Sequence, residues 1–230
     1  MKKTVKIIKY FSASELILWS FSVFVIMLTF FVFDRENYLT LSASVIGATS
    51  LIFNAKGNPF GQLLMIIFSI IYGIISYSFS YYGEMITYLG MTAPMAIFAL
   101  ISWLKNPYNE NRSEVKVNRL KSSEVAFMIF LTVIVTVLFY YILKYFSTAN
   151  LFFSTLSVTT SFIAVYLTFR RSPYFAFAYA ANDVVLLVLW ITATVTDISY
   201  LSVVVCFSIF LINDIYGFLS WLKMEKRQKI

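Results

Sequence analysis

The sequence predicts an all-α polytopic membrane protein with about eight transmembrane helices. Composition, the length of the apolar runs and the distribution of positive charge each lead there. Of 230 residues, 60% are hydrophobic and only 13% are charged, about half the charged share of an ordinary soluble domain. Eight apolar runs approach the roughly 20 residues that a helix needs to cross a hydrocarbon layer about 30 Å thick. The runs are continuous and lack the period-two alternation of barrel strands, which selects helices. Sixteen of the 18 Lys and Arg residues fall on one side of the resulting topology, as expected for cytoplasmic loops.

The first span covers about 14–33 and follows Lys2, Lys3, Lys6 and Lys9. The stretch FFVFDREN after it offers no small-residue cleavage site, so this span reads as a retained helix and not as a signal peptide. The second, third and fourth spans are placed at about 38–55, 60–80 and 84–104. Residues 105–123 (KNPYNENRSEVKVNRLKSS) form the single long hydrophilic connection and read as a cytosolic linker. Four further spans follow at about 124–146, 150–169, 174–195 and 199–222. The second and sixth are short and rich in Ser and Thr (LSASVIGATS, STLSVTTS). With both termini in the cytoplasm, only Arg35 and Lys144 lie outside. The formal charge of +7 is thereby a topology signal and gives no reason to expect a nucleic-acid partner.

The absence of histidine removes Ser-His-Asp and Cys-His nucleophile systems, HExxH zinc sites and histidine-ligated haem. A single cysteine, Cys206, in the apolar run VVVCFSIF excludes an internal disulfide and reads as a packing residue. No catalytic residue, metal site or cofactor is expected.

The chain repeats itself. Pro59 leads to Ser102-Trp103-Leu104-Lys105, and Pro173 leads to Ser220-Trp221-Leu222-Lys223. Thr49-Ser50 matches Thr160-Ser161, and Ser14-Glu15 matches Ser123-Glu124. Residues 14–105 and 123–223 are thus related, and an even number of crossings in each makes the repeats parallel. Parallel repeats are a transporter signature with a solute site at their interface; duplication in a passive scaffold is the alternative.

Ionisable groups inside a span cost at least about 2.5–3.5 kcal/mol at the bilayer centre and normally face a cavity or a partner. Asp183 in the seventh span and Asp214 in the eighth are such groups, each preceded by asparagine, Asn182 and Asn213. Helical spacing puts Tyr179, Leu186 and Trp190 on the face of Asp183, and Phe210, Phe218 and Trp221 on that of Asp214. Acids flanked by rings suit a flat, polar-edged or cationic solute. Tyr72, Tyr88, Gln62 and Trp103 from the first half are further candidates, but Tyr81, Tyr82 and Trp103 sit near span ends, where an interfacial reading is favoured. Pro94, Gly73 and Gly90 mark places where spans can bend. Interhelical hydrogen bonding is the competing role for the acids. Two buried acids also admit intramembrane aspartyl chemistry, although NDVVLL and NDIYGF lack the GxGD pattern.

Ala55-Lys56-Gly57, Tyr72, Tyr82-Gly83-Glu84-Met85, Pro94-Met95 and Trp103, followed by Arg170-Arg171, Asp183, Gly217 and Trp221, resemble in order and spacing the signature of the PnuC-type vitamin transporters. The resemblance covers about residues 38–223. It implies a SWEET-like arrangement of two parallel three-helix bundles (3+1+3) plus an additional N-terminal helix. The parts are then 1–37, a basic segment and extra helix; 38–105, the first bundle; 106–149, a cytosolic loop and linker helix; 150–223, the second bundle; and 224–230, a basic tail. It also implies facilitated uptake of nicotinamide riboside or a related vitamin or nucleoside (thiamine, riboflavin, deoxynucleosides) across a bacterial cytoplasmic membrane, by a homotrimer and without enzymatic activity. The expected binding residues are Asp183, Asn182, Asp214, Asn213, Tyr179, Trp190, Tyr72 and Tyr88. Phe68 and Ala96 depart from the family, which has Asn and Gln there, and Ala99-Leu100 replaces its Gly-Trp. Ala96 and Asp214 occupy equivalent repeat positions, so one polar anchor has moved between halves.

Overall fold

A computed structural model of the chain describes residues 10–33, 35–78, 82–148, 150–195 and 198–229. Lys2, Lys3, Lys6, Lys9 and Tyr81 lie outside the described residues. The helices are α1 (Ala13–Phe33), α2 (Tyr38–Ala55), α3 (Phe60–Ser78), α4 (Tyr82–Thr87), α5 (Ala93–Lys105), α6 (Ser122–Tyr145), α7 (Leu151–Phe169), α8 (Phe175–Thr194) and α9 (Leu201–Gln228). Among the described residues eight helical segments are long and apolar enough to cross a membrane, α4 and α5 together making one of them.

That fourth segment is interrupted by a π-helical turn, Tyr88–Thr92, where Ala93 N–H bonds back to the Tyr88 carbonyl. Pro94, which has no N–H to give to the turn before it, follows at once. The α ladder slips one residue there, a device common at functional sites.

The repeat seen in the sequence is obeyed by contacts at one end of the molecule. Trp103 Nε1 donates to the Thr168 carbonyl at 2.8 Å and Ser102 Oγ to the Phe169 carbonyl at 2.9 Å. The equivalent Trp221 Nε1 donates to the Asn54 carbonyl at 2.7 Å and Ser220 Oγ to the Ala55 carbonyl at 2.8 Å. Each half thereby grips the last turn of the other half's helix, α7 or α2, and satisfies carbonyls that have no partner inside that helix. The two indoles are fully buried, 5.4 Å apart, with Phe175 against both. Lys56 pairs with Glu15 at 3.1 Å, and its counterpart Arg170 pairs with Glu124. The first and fifth spans, which carry those glutamates, are consequently tethered in equivalent ways. The first span has two more ties to the bundle, Trp19 Nε1 to Thr49 Oγ1 at 3.1 Å and Asn213 Nδ2 to Ser22 Oγ at 2.9 Å.

The connection between the halves is structured. Pro107–Tyr108 and Asn111–Val115 form an antiparallel hairpin, turned by Asn109 and Glu110 at φ of 46° and 61°. Two successive positive φ values define the turn that matches strand twist. The strand then crosses both halves: Val115 N–H donates to the Gly57 carbonyl at 2.9 Å and Asn118 N–H to the Arg171 carbonyl at 3.0 Å. Gly57 and Arg171, each two residues before its proline, both take the left-handed conformation. At Gly57 a Cβ would also press on Met224 and Val115. Arg171 is half-buried, and burial, reinforced by the charge of Arg170, pulls its guanidinium below the usual value. Val115 is fully buried beside Trp103 and Trp221, so this segment caps the tryptophan pair.

The eighth span, α9, runs on into the basic tail and ends at Gln228. Its extra turns are held by the capping segment, through Arg119–Glu225 at 2.5 Å, Arg227–Glu114 and a Val117 N–H to Gln228 Oε1 bond of 2.7 Å. Truncating Trp103 or Trp221 to alanine is expected to cost about 3–5 kcal/mol of stability each. Because the rings touch, the double substitution costs less than the sum of the singles. Denaturant unfolding of the purified protein in detergent checks both expectations.

Candidate functional site

Between the halves lies a chamber of about 90 Å³, several times the roughly 10–15 Å³ that one water requires. Helices α8 and α9 supply its acids. Asp183 and Asp214 are each only 4% exposed, and both line the chamber. Their carboxyls lie close enough to interact with each other. Asp183 Oδ2 is buried without any protein partner. Glu84 brings a third carboxyl, and no Lys or Arg is among the lining residues.

Rings form one wall. Tyr72 and Tyr88 are 4.6 Å apart, and Phe68 lies against both at 5.5 and 6.0 Å. Phe210 meets Phe68 at 6.2 Å and Phe207 at 5.9 Å. This packing depends on Gly47, where a Cβ would fall 2.7 Å from the Phe210 ring and 3.2 Å from that of Phe68. The facing wall is polar. Asn182 Oδ1 accepts from Thr160 Oγ1 at 2.8 Å and Ser161 Oγ at 3.1 Å, which orients the amide and leaves its NH2 as a donor. Ser154, Ser157 and Ser161 of α7 line the same space.

Seven of the eight residues singled out in the sequence line this chamber: Asp183, Asn182, Asp214, Tyr179, Trp190, Tyr72 and Tyr88. Asn213 does not. One residue along a helix is a turn of about 100°, which aims its amide at Ser22 of α1 and at the Ile209 carbonyl. Gln62 is likewise spent on Asn54 at 2.8 Å, and Trp103 and Trp221 belong to the buried core where the halves join. Phe218 packs on Tyr174 and Phe177 instead of lining the chamber. The sequence reading missed Glu84, Phe68, Phe207 and the α7 serines. The Ser/Thr richness of the sixth span was their visible signal: a span with so many hydroxyls faces water and not only lipid.

The chain matches the family described as Nicotinamide mononucleotide transporter over residues 37–223. It belongs to that family. A nicotinamide riboside transporter named PnuC from Neisseria mucosa (strain ATCC 25996 / DSM 4631 / NCTC 10774 / M26) is 25% identical over 201 residues, which span 86% of this chain and 76% of that protein. The crystal structure of the vitamin B3 transporter PnuC superposes with a TM-score of 0.80 at 23% identity, covering 95% of this chain and 94% of that one. This member of the nicotinamide mononucleotide transporter family is a multi-pass membrane transporter and not an enzyme. The first span lies outside the residues that define the family. Gly47→Ala is expected to push the Phe210 ring into the chamber at a stability cost of about 1–3 kcal/mol. Saturable transport then falls while membrane insertion persists, as an uptake assay normalised to protein level measures.

Proposed function

We propose that the protein carries nicotinamide riboside inward by facilitated diffusion. The observation that supports this reading best is a chamber with three carboxyls, a ring wall and no lining cation. The riboside has a fixed pyridinium charge, a flat ring and ribose hydroxyls. Asp183 and Asp214 present adjacent acidic groups that attract one pyridinium charge. Tyr72, Tyr88, Tyr179 and Trp190 offer faces for the ring, Asn182 offers donors to a carboxamide or hydroxyl, and the serines of α7 suit a ribose. The mononucleotide adds a phosphate dianion, for which this chamber provides only repulsion. The solute is thus the dephosphorylated nucleoside. Asn213, bonded to Ser22, positions α9 from behind.

In this reading the termini are cytoplasmic, the tryptophan pair and its capping strand close the chamber toward the cytoplasm, and release requires the exchanged Ser-Trp grips to part. The membrane is the bacterial cytoplasmic membrane and the assembly a homotrimer, as the resemblance implies.

Uptake of labelled nicotinamide riboside into cells or proteoliposomes tests the assignment. Asp183→Ala is expected to abolish saturable uptake at normal protein level, and excess mononucleotide is expected not to compete. Undiminished uptake removes Asp183 from the site. A thermal-shift panel with thiamine, riboflavin and deoxynucleosides ranks the solute, and a larger shift with any of these replaces the riboside. Cysteine labels introduced at Lys56 and Arg171 are expected to react only from the cytoplasmic side; reaction from outside reverses the orientation.

A further inference from the structure

The solute reading leaves Glu84 unused. It lines the chamber at the end remote from the tryptophan pair: a Cβ on its neighbour Gly83 would meet Leu143 and Thr148, by the turn that joins α6 to α7. Both of those residues line the chamber too. Glu84 forms no hydrogen bond or ion pair with any other described residue. It stands one helical turn before Tyr88 on the same face. Tyr88 lines the chamber together with both Glu84 and Asp183. A line of polar groups therefore runs inward from Glu84 over the Tyr88 and Tyr72 rings to the aspartate pair. The line ends on Asp183 Oδ2, which is aimed into the chamber without a protein partner although its residue is 96% buried by its 4% exposure. The titratable groups facing this line are Asp183, Asp214, Tyr179 and Cys206, and the lining residues include no base.

We propose that Glu84 is a second, outer cation subsite, where a positively charged solute docks against the Tyr88 and Tyr72 rings before it passes to Asp183 and Asp214. The inference rests on the cationic solute and the orientation argued above. Two separated carboxyl stations with rings between them let a cation leave water in two small steps. At each step a ring face or a carboxyl replaces lost hydration. The π-helical turn at Tyr88–Thr92 lies directly between Glu84 and Pro94, so the half-span that carries Glu84 is joined to α5 by an irregular segment that can flex as the solute moves inward.

The test compares nicotinamide riboside with its dihydro form, which has nearly the same shape and no charge. Binding to the purified full-length protein is measured by titration calorimetry, with monodispersity and melting temperature confirming the fold of each variant. Glu84→Gln is expected to weaken riboside binding roughly tenfold, as loss of one charge contact in a partly aqueous mouth implies. Binding of the dihydro form is expected to stay within about twofold on the same ground. Glu84→Asp, which keeps the charge, is expected to retain most of the cation preference. Equal effects on both solutes, or no effect on either, overturn the subsite while leaving the transport reading intact. An unaltered protein that binds neither solute overturns the transport reading and the subsite with it. If Glu84→Gln does not fold, the salt dependence of association to the unaltered protein decides. A steeper fall in on-rate for the riboside than for the dihydro form supports the subsite, and identical slopes overturn it.

Discussion

A carboxyl group at membrane depth has to find water, a partner or a proton, and the architecture of this protein follows from how Asp183 and Asp214 meet that demand. They come from adjacent spans and meet in one chamber with room for several waters. Everything that lines the void is arranged around that pair. Hydroxyls from α7 hold Asn182 in place, and rings from α3, the π-helical turn and α9 close the opposite wall. A chamber so acidic and so lacking in bases has one chemical preference, which is for positive charge.

The joint between the halves rests on a different principle. A helix end leaves carbonyls without partners inside the helix. Here each half's Ser-Trp dipeptide donates to such carbonyls of the other half. The same bonds that complete α2 and α7 therefore join the two repeats. The loop between the halves adds a strand across Gly57 and Arg171, and its ion pairs hold the last turns of α9.

How much of this was legible depends on the range of the interaction. Asp183 and Asp214 stood out because the cost of a charge in a span is a property of the residue and its immediate run. The Ser-Trp repeat stood out as a pattern, yet its purpose did not: a tryptophan near a span end reads as an interfacial anchor until its indole is seen bonding to a carbonyl 65 or 167 residues away. Asn213 was misassigned by adjacency, since the residue beside a chamber-facing aspartate on a helix faces elsewhere. Glu84 was passed over at the edge of a span, where acids usually meet water, because only the fold of α4 over the mouth turns it inward.

By itself the sequence determined the number and lengths of the spans, the asymmetry of their flanking charges, the internal duplication and the need for a polar interior. All of these depend on transfer free energies that are summed over neighbouring residues. The tertiary structure decided which acids share one chamber, which asparagine faces it, and that two tryptophans join the halves. Those outcomes are set by the rotation of each helix about its axis and by contacts between residues far apart in the chain, and no local pattern encodes either.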